Sequence, residues 1–248
     1  MGTLRGFPNP PATASAGGSP ADATRSAPRL YLVTDRAATG NRPLLEVVAQ
    51  GLSGIAGTGL APGDVAVQLR EKDLEGRALL ELARPLRDLT AAAGVGLYVN
   101  DRIDVALAVG ADGVHLAGTS LSPGEARAIA PGLAIGVSAH RIADVRAAAG
   151  RASFAVFGPI RDTPSKRSYG SPLGVEALVE AARLELPLLA IGGIDAETVA
   201  AVMAAGARGI ACIRPVMQAA DPAAAVRELA VALASSPHAA PAAAPYRT

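Results

Sequence analysis

A single parallel (β/α)8 barrel of the TIM type is the fold class this sequence predicts, and three observations predict it. Short apolar runs alternate with longer helical patterns eight times over about 200 residues, the order of a parallel sheet joined by helical crossovers. Half of the 248 residues are apolar, enough for one well-buried domain of barrel size. No Gly-x-Gly-x-x-Gly follows the first strand, which counts against a doubly wound open sheet. The unit does not recur as sequence, which counts against a solenoid.

The strands are expected at residues 30–34, 64–69, 96–99, 113–116, 134–137, 154–157, 188–191 and 209–213. Each is an apolar run of strand length closed by glycine, proline or polar residues. The helices are expected between them at 43–56, 77–93, 103–109, 123–130, 143–149, 175–183, 196–205 and 222–233. Ser122-Pro123 reads as an N-cap with proline at the first helical position, and Gly94, Gly110, Gly150 and Gly206 stand just past helix ends. Residues 1–28 and 235–248, dominated by small residues and proline, are expected as disordered extensions around a barrel of 29–234.

Composition removes several function classes. A net charge of +1 argues against nucleic acid as the main partner. No apolar run reaches membrane-spanning length, and the first 28 residues lack the apolar core of a secretory signal. A single cysteine, Cys212, allows no internal disulfide and fits a reducing cytoplasm. Homo-oligomer formation stays open. The 23 basic residues include only two lysines, Lys72 and Lys166, in a chain that otherwise uses arginine. Two isolated ammonium groups read as leftovers of codon usage or as places where a compact point charge is wanted.

Placing the repeats decides for the second reading. Asp35-Arg36 follow strand one, and period two puts Gln68 and Arg70 on one face of strand two with Lys72 just beyond. Asn100-Asp101 end strand three, and His115 and Ser120 belong to strand four. Ser138 and His140 end strand five, and a long loop after strand six carries Thr163, Ser165 and Lys166. Gly192-Gly193 follow strand seven, and Arg214 ends strand eight. All fall at C-terminal strand ends, the catalytic face of a barrel. Cations beside hydroxyls and an amide suit a di- or polyanion. Two anion sites are expected, one near Lys72 and Lys166 and one near Gly193 and Arg214, where backbone N–H groups and a helix start meet a phosphate. Asn100 or Asp101 could instead cap the third helix, and Asp101 could do so while keeping a carboxylate for Mg2+ beside a pyrophosphate. Arg70-Glu71-Lys72 has the look of a solvated charge run, and His115 of an ordinary strand-end histidine.

These motifs resemble thiamine phosphate synthases and their relatives, the TenI-type thiazole tautomerases. The resemblance covers about residues 29–233 and rests on LYLVTDR (30–36), VQLREKDL (67–74), VNDRIDVALAVGADGVHL (99–116), IGVSAH (135–140), FGPIRDTPSK (157–166) and AIGGID (190–195), in order and at the right strands. It implies an enzyme of thiamine biosynthesis that couples a hydroxymethylpyrimidine diphosphate to a thiazole phosphate and releases pyrophosphate with Mg2+. It implies that Gln68, Arg70 and Lys72 meet the diphosphate and pyrimidine, that Asn100 contacts the diphosphate, and that Asp101 holds the metal. Ser138 and Lys166 are implied to bind the departing pyrophosphate, Thr163 and Ser165 the thiazole substrate, and Gly193 its phosphate.

The chain departs from the family pattern in three places. Ser120 stands where the synthase carries an acidic second Mg2+ ligand, Arg161-Asp162 replaces a Phe-Pro-like pair, and Arg214 replaces a serine-like residue. The run HLAGTSLSP is closer to the tautomerases, which need no metal and use a histidine at the place of His140 as acid and base. The synthase is the leading reading and Lys72, Lys166 and His140 its candidate catalytic groups. The alternatives are a metal-independent tautomerase and a barrel that binds phosphate ligands without chemistry.

Overall fold

The computed structural model describes residues 27–162 and 171–236. Eight strands, β1 (Leu30–Val33), β2 (Val65–Leu69), β3 (Gly96–Asn100), β4 (Gly113–Leu116), β5 (Ala134–Ala139), β6 (Phe154–Phe157), β7 (Leu188–Ile191) and β8 (Gly209–Cys212), pair in sequence order into a closed barrel. Every neighbouring pair is parallel, and β8 returns to β1 with Leu30 opposite Ile210. The intervening helices are α1 (Leu44–Ser53), α2 (Gly76–Ala92), α3 (Ile103–Ala108), α4 (Pro123–Ile129), α5 (Ile142–Ala148), α6 (Gly174–Ala181) and α7 (Ala196–Ala204). A four-residue helix α8 (Arg214–Met217) then precedes α9 (Pro222–Ser235), which closes the ring against α1 and α7.

The alternation of each strand sorts its side chains into two cores. Outward residues such as Leu32, Val67, Leu69, Leu97, Val99 and Ile135 join the helices in a layer around the barrel. Inward residues, Tyr31, Val33, Ala66, Tyr98, Phe154, Val156, Leu189 and Ala211, fill the interior. Because both strand faces are covered, β1, β2, β4, β6 and β8 are buried at every residue, and they read as continuous apolar runs for that reason. Tyr31, Tyr98 and Phe154 meet edge to face with centroids 5.4–5.5 Å apart, a favourable arrangement for ring quadrupoles. Small residues opposite make the room. A Cβ on Gly113 would fall 2.3 Å from the Tyr98 ring, and one on Gly136 would fall 2.6 Å from Phe154 and 2.8 Å from His115 Nδ1.

Local signals work as the sequence suggests. Ser122 accepts from Glu125 N and the Glu125 carboxylate returns to Ser122 N, a capping box with Pro123 at the first position. Gly94, Gly110, Gly150 and Gly206 hold φ of 67°, 61°, 72° and 98° past their helices, the left-handed geometry that glycine adopts without strain. Burial reaches two positions past the expected barrel limits, 29–234, at each end. Ala27 and Pro28 are buried, the Ala27 carbonyl accepts from Arg208 Nε at 3.2 Å, α9 runs to Ser235, and Ser236 is buried after it. The rest of the two expected extensions, 1–26 and 237–248, lies outside the described residues.

Candidate active site

The cationic corner is built by β1 and β2. Thr34, the residue after β1, accepts from Arg70 N at 2.9 Å and donates its hydroxyl to Glu71 Oε1 at 2.6 Å. Glu71 Oε2 accepts from Arg36 N at 3.1 Å and lies 3.3 Å from Arg36 Nε. The Glu71 side chain is only 3% exposed, so the triplet Arg70-Glu71-Lys72 is not a solvated charge run. A buried, hydrogen-bonded carboxylate anchors its middle, and half-buried Arg70 and exposed Lys72 project on either side. Together with Asp35, Arg36, Ala37 and Asp73 these three residues line a depression of about 370 Å³. Glu71 is the anchor that sequence reasoning missed, because a glutamate between two cations reads the same whether buried or exposed.

The adjoining quadrant is a hydrogen-bonded chain across β2, β3 and β4. Gln68 Nε2 donates to Asn100 Oδ1 at 3.1 Å, and Asn100 Nδ2 donates to Asp101 Oδ2 at 2.8 Å. Asp101 Oδ1 accepts from Ala117 N at 3.1 Å and from the Ser120 hydroxyl. Asp101 sits at φ 59°, a left-handed turn that asparagine and aspartate tolerate better than most residues. Its carboxylate does not cap α3, whose N-cap is Arg102 without a side-chain cap bond. The carboxylate faces the rim and is oriented by three donors.

Whether these residues suit Mg2+ follows from the donor set. Among the described residues no cluster of three or more His, Cys, Asp or Glu could hold a metal ion. Asp112 cannot contribute, since its Oδ2 accepts from Arg87 Nη1 at 2.6 Å and from Leu97 N at 2.8 Å before β4. Asp101 stands with a hydroxyl and an amide, and one carboxylate is enough for Mg2+ when phosphate oxygens and water complete the octahedron. The residues therefore fit an ion that arrives with a diphosphate.

Strands β4 and β5 carry the two histidines. His115 is buried, with Nε2 3.0 Å from Ser138 Oγ and Nδ1 3.4 Å from the Tyr31 hydroxyl. Burial pushes its pKa down to about 3; Asp101 opposes the shift and Arg70 adds to it. His140 is exposed at the rim, its N donates to Asp144 Oδ2 at 3.0 Å, and its Nδ1 is 2.6 Å from the Gly158 carbonyl. A carbonyl only accepts, so Nδ1 carries a hydrogen and Nε2 is the nitrogen left to exchange a proton.

The second expected anion site has a packing role as well. Gly192 and Gly193 hold φ of 94° and 66°, and Arg161 N donates to Gly192 O at 3.1 Å. A Cβ on Gly193 would lie 2.6 Å from Arg161 Cβ, so the glycine pair lets the segment after β6 close over β7. Gly193 is exposed beyond that contact. Arg214 does not extend β8; it is exposed and opens α8. Thr163, Ser165 and Lys166 lie outside the described residues.

Fold and rim together define a (β/α)8 barrel with cationic, amide and hydroxyl side chains gathered at the C-terminal ends of its strands. The chain belongs to the thiamine monophosphate synthase family, whose profile matches residues 30–216. It is 44% identical over 204 residues to a thiamine-phosphate synthase of Roseiflexus castenholzii, covering 81% of this chain and 86% of that one. It is 42% identical over 203 residues to a thiamine-phosphate synthase of Moorella thermoacetica, covering 81% and 93%. Among solved structures, thiamine phosphate pyrophosphorylase from Pyrococcus furiosus superposes with a TM-score of 0.74 at 33% identity, covering 84% of this chain and 96% of that one.

Proposed function

We propose that this chain is a thiamine-phosphate synthase, a transferase that joins a hydroxymethylpyrimidine diphosphate to a thiazole phosphate. The observation that carries this reading is the juxtaposition of the Gln68–Asn100–Asp101 chain with Arg70 and Lys72 on neighbouring strand ends. The relatives that match over most of their length carry the same activity in their names. In the reaction the bond between the pyrimidine methylene and the diphosphate oxygen breaks, and the electron pair leaves with pyrophosphate. The thiazole nitrogen then gives its lone pair to the methylene carbon.

The chain's part is to bind anions and hold charge in place. Arg70 offers a guanidinium fork and Lys72 a point charge to the diphosphate. Asn100 and Gln68 fix each other, so they meet the substrate without reorganisation. Asp101 would hold Mg2+ there, and the ion would supply charge neutralisation to the leaving pyrophosphate. The resemblance assigns Ser138 and Lys166 to the pyrophosphate, Thr163 and Ser165 to the thiazole substrate, and Gly193 to its phosphate; Arg214, where the family carries a serine-like residue, would add charge at that second anion site. No helix among the described residues is long and apolar enough to cross a membrane, and a chain with a single cysteine, Cys212, suits a reducing cytoplasm.

The test is direct. The purified chain with both substrates and Mg2+ should form thiamine phosphate and pyrophosphate; no product at any Mg2+ concentration would sink the assignment. A tautomerase is favoured by one observation, the Nε2 of His140 left for proton exchange at the rim. In that case the protein isomerises the thiazole carboxylate phosphate in the presence of chelator, and His140→Ala abolishes it.

A further inference from the structure

His115 lies where the apolar interior of the barrel gives way to its polar mouth. Below it are the rings of Tyr31 and Phe154, with centroids 5.7 and 6.2 Å away. Above it Ser138 sits near the end of β5. The imidazole bridges the two layers, 3.4 Å from the Tyr31 hydroxyl through Nδ1 and 3.0 Å from Ser138 Oγ through Nε2. Gly136 on β5 makes the space, since a Cβ there would lie 2.8 Å from His115 Nδ1.

The buried surroundings select one pattern of hydrogens. Tyr31 and His115 are 0% and 2% exposed, and Tyr31 packs against the rings of Tyr98 and Phe154. Among the described residues the hydrogen-bond partner of the Tyr31 hydroxyl is His115 Nδ1. A hydrogen on Nδ1 would point at the phenol oxygen and strand the phenol hydrogen among rings, and buried donors are rarely left unpaired. The arrangement that pairs both has Tyr31 donating to Nδ1 and Nε2–H donating to Ser138 Oγ. Ser138 then accepts from below, and its own hydrogen is directed away from the imidazole, toward the mouth.

Building on the role given to Ser138 above, we propose that His115 is a positioning residue: as the Nε2–H tautomer set by Tyr31, it turns the Ser138 hydroxyl outward as a donor to the departing pyrophosphate. A serine hydroxyl normally rotates among several partners. Here one lone pair is occupied beforehand, so donation to an anion needs no rearrangement. The effect would be felt in pyrophosphate binding and kcat rather than in recognition of the thiazole.

Two measurements on the full chain decide it. Long-range proton–nitrogen spectra of labelled protein at neutral pH, with the signal assigned through His115→Gln, should show the Nε2–H form; an Nδ1–H form overturns the proposal. Calorimetry with pyrophosphate and Mg2+ should then show roughly tenfold weaker binding for Ser138→Ala and for His115→Leu, with no further loss in the double variant. His115→Gln, whose amide can still donate, should recover part of the loss. Tyr31→Phe keeps the ring packing and should weaken binding only in the presence of Ser138. Equal losses from Tyr31→Phe with and without Ser138, or a wild-type chain that does not bind pyrophosphate, overturn the proposal. An Nε2–H tautomer with coupled losses in a protein that forms no thiamine phosphate supports it and removes the synthase reading alone.

Discussion

Ser120 shows what a single residue does to this rim. Its hydroxyl hydrogen-bonds the Asp101 carboxylate, which also accepts from Ala117 N and Asn100 Nδ2. A hydroxyl supports that carboxylate without adding charge, and a hard dication gains little from it. Ser120→Asp would place a second carboxylate against the first, and like charges so close are costly until a cation sits between them. The variant should melt below the wild type in chelator and regain the difference on addition of Mg2+, whereas the wild type should shift much less without diphosphate. Equal Mg2+ shifts in the two proteins would argue that Asp101 is not the metal position. His115 is a second case. The unfolded chain takes up a proton near pH 6.5, and the folded chain resists until about 3, so stability is lost as pH falls through that window. The slope should be about 1.4 kcal/mol per pH unit, or about 2 kcal/mol between pH 6.5 and 5. Urea titrations across that range should show the slope in the wild type and a flatter one in His115→Gln. The composition and position of Asn100, Asp101 and Ser138 were legible before the fold was known. The burial of Glu71 and His115 was not, because a charged triplet and a strand-end histidine look alike in either setting.

At the scale of elements, the corner between β1 and β2 explains why the cations need more than their own side chains. Thr34 serves both strands, accepting from Arg70 N and donating to the Glu71 carboxylate. Thr34→Val keeps the volume and removes both bonds, leaving a buried carboxylate oxygen and a backbone N–H without that partner. The expected cost is about 1–3 kcal/mol, and the KM for the pyrimidine diphosphate should rise more than that for the thiazole phosphate. Equal changes in both KM values would mean that the corner only stabilises the fold. Element positions were legible to within two or three residues, because strand burial on both faces and left-handed glycines after helices leave plain marks. Two features escaped. Arg214–Met217 forms a separate short helix between the expected strand at 209–213 and the expected helix at 222–233, where the sequence predicts no element. Gly192 and Gly193 are also needed for the packing of Pro159 and Arg161 over β7, a close approach that no spacing rule announces.

The whole barrel is sealed at the end opposite the mouth by residues that composition assigned to a tail. Ala27 and Pro28 are buried there, and Arg208 joins that end through Ala27 O and through Asp64 Oδ1 at 3.4 Å. Arg29 adds two tethers. Its N donates to Asp64 O at 2.7 Å, and its Nη2 donates to the Leu233 carbonyl of α9 at 2.6 Å. The backbone around Arg29 also bears on Gly209, where a Cβ would fall 2.1 Å from Arg29 O. A parallel barrel depends on the β1–β8 seam, and these contacts sit at the start of both strands. A chain begun at Leu30 should therefore melt several degrees below one begun at Ala27, on the order of 2 kcal/mol for the lost burial and hydrogen bonds. The site lies at the other end of the strands, so the shorter chain should keep its KM values at temperatures where it is folded. Equal melting of the two truncated chains would show that the seam holds without this plug.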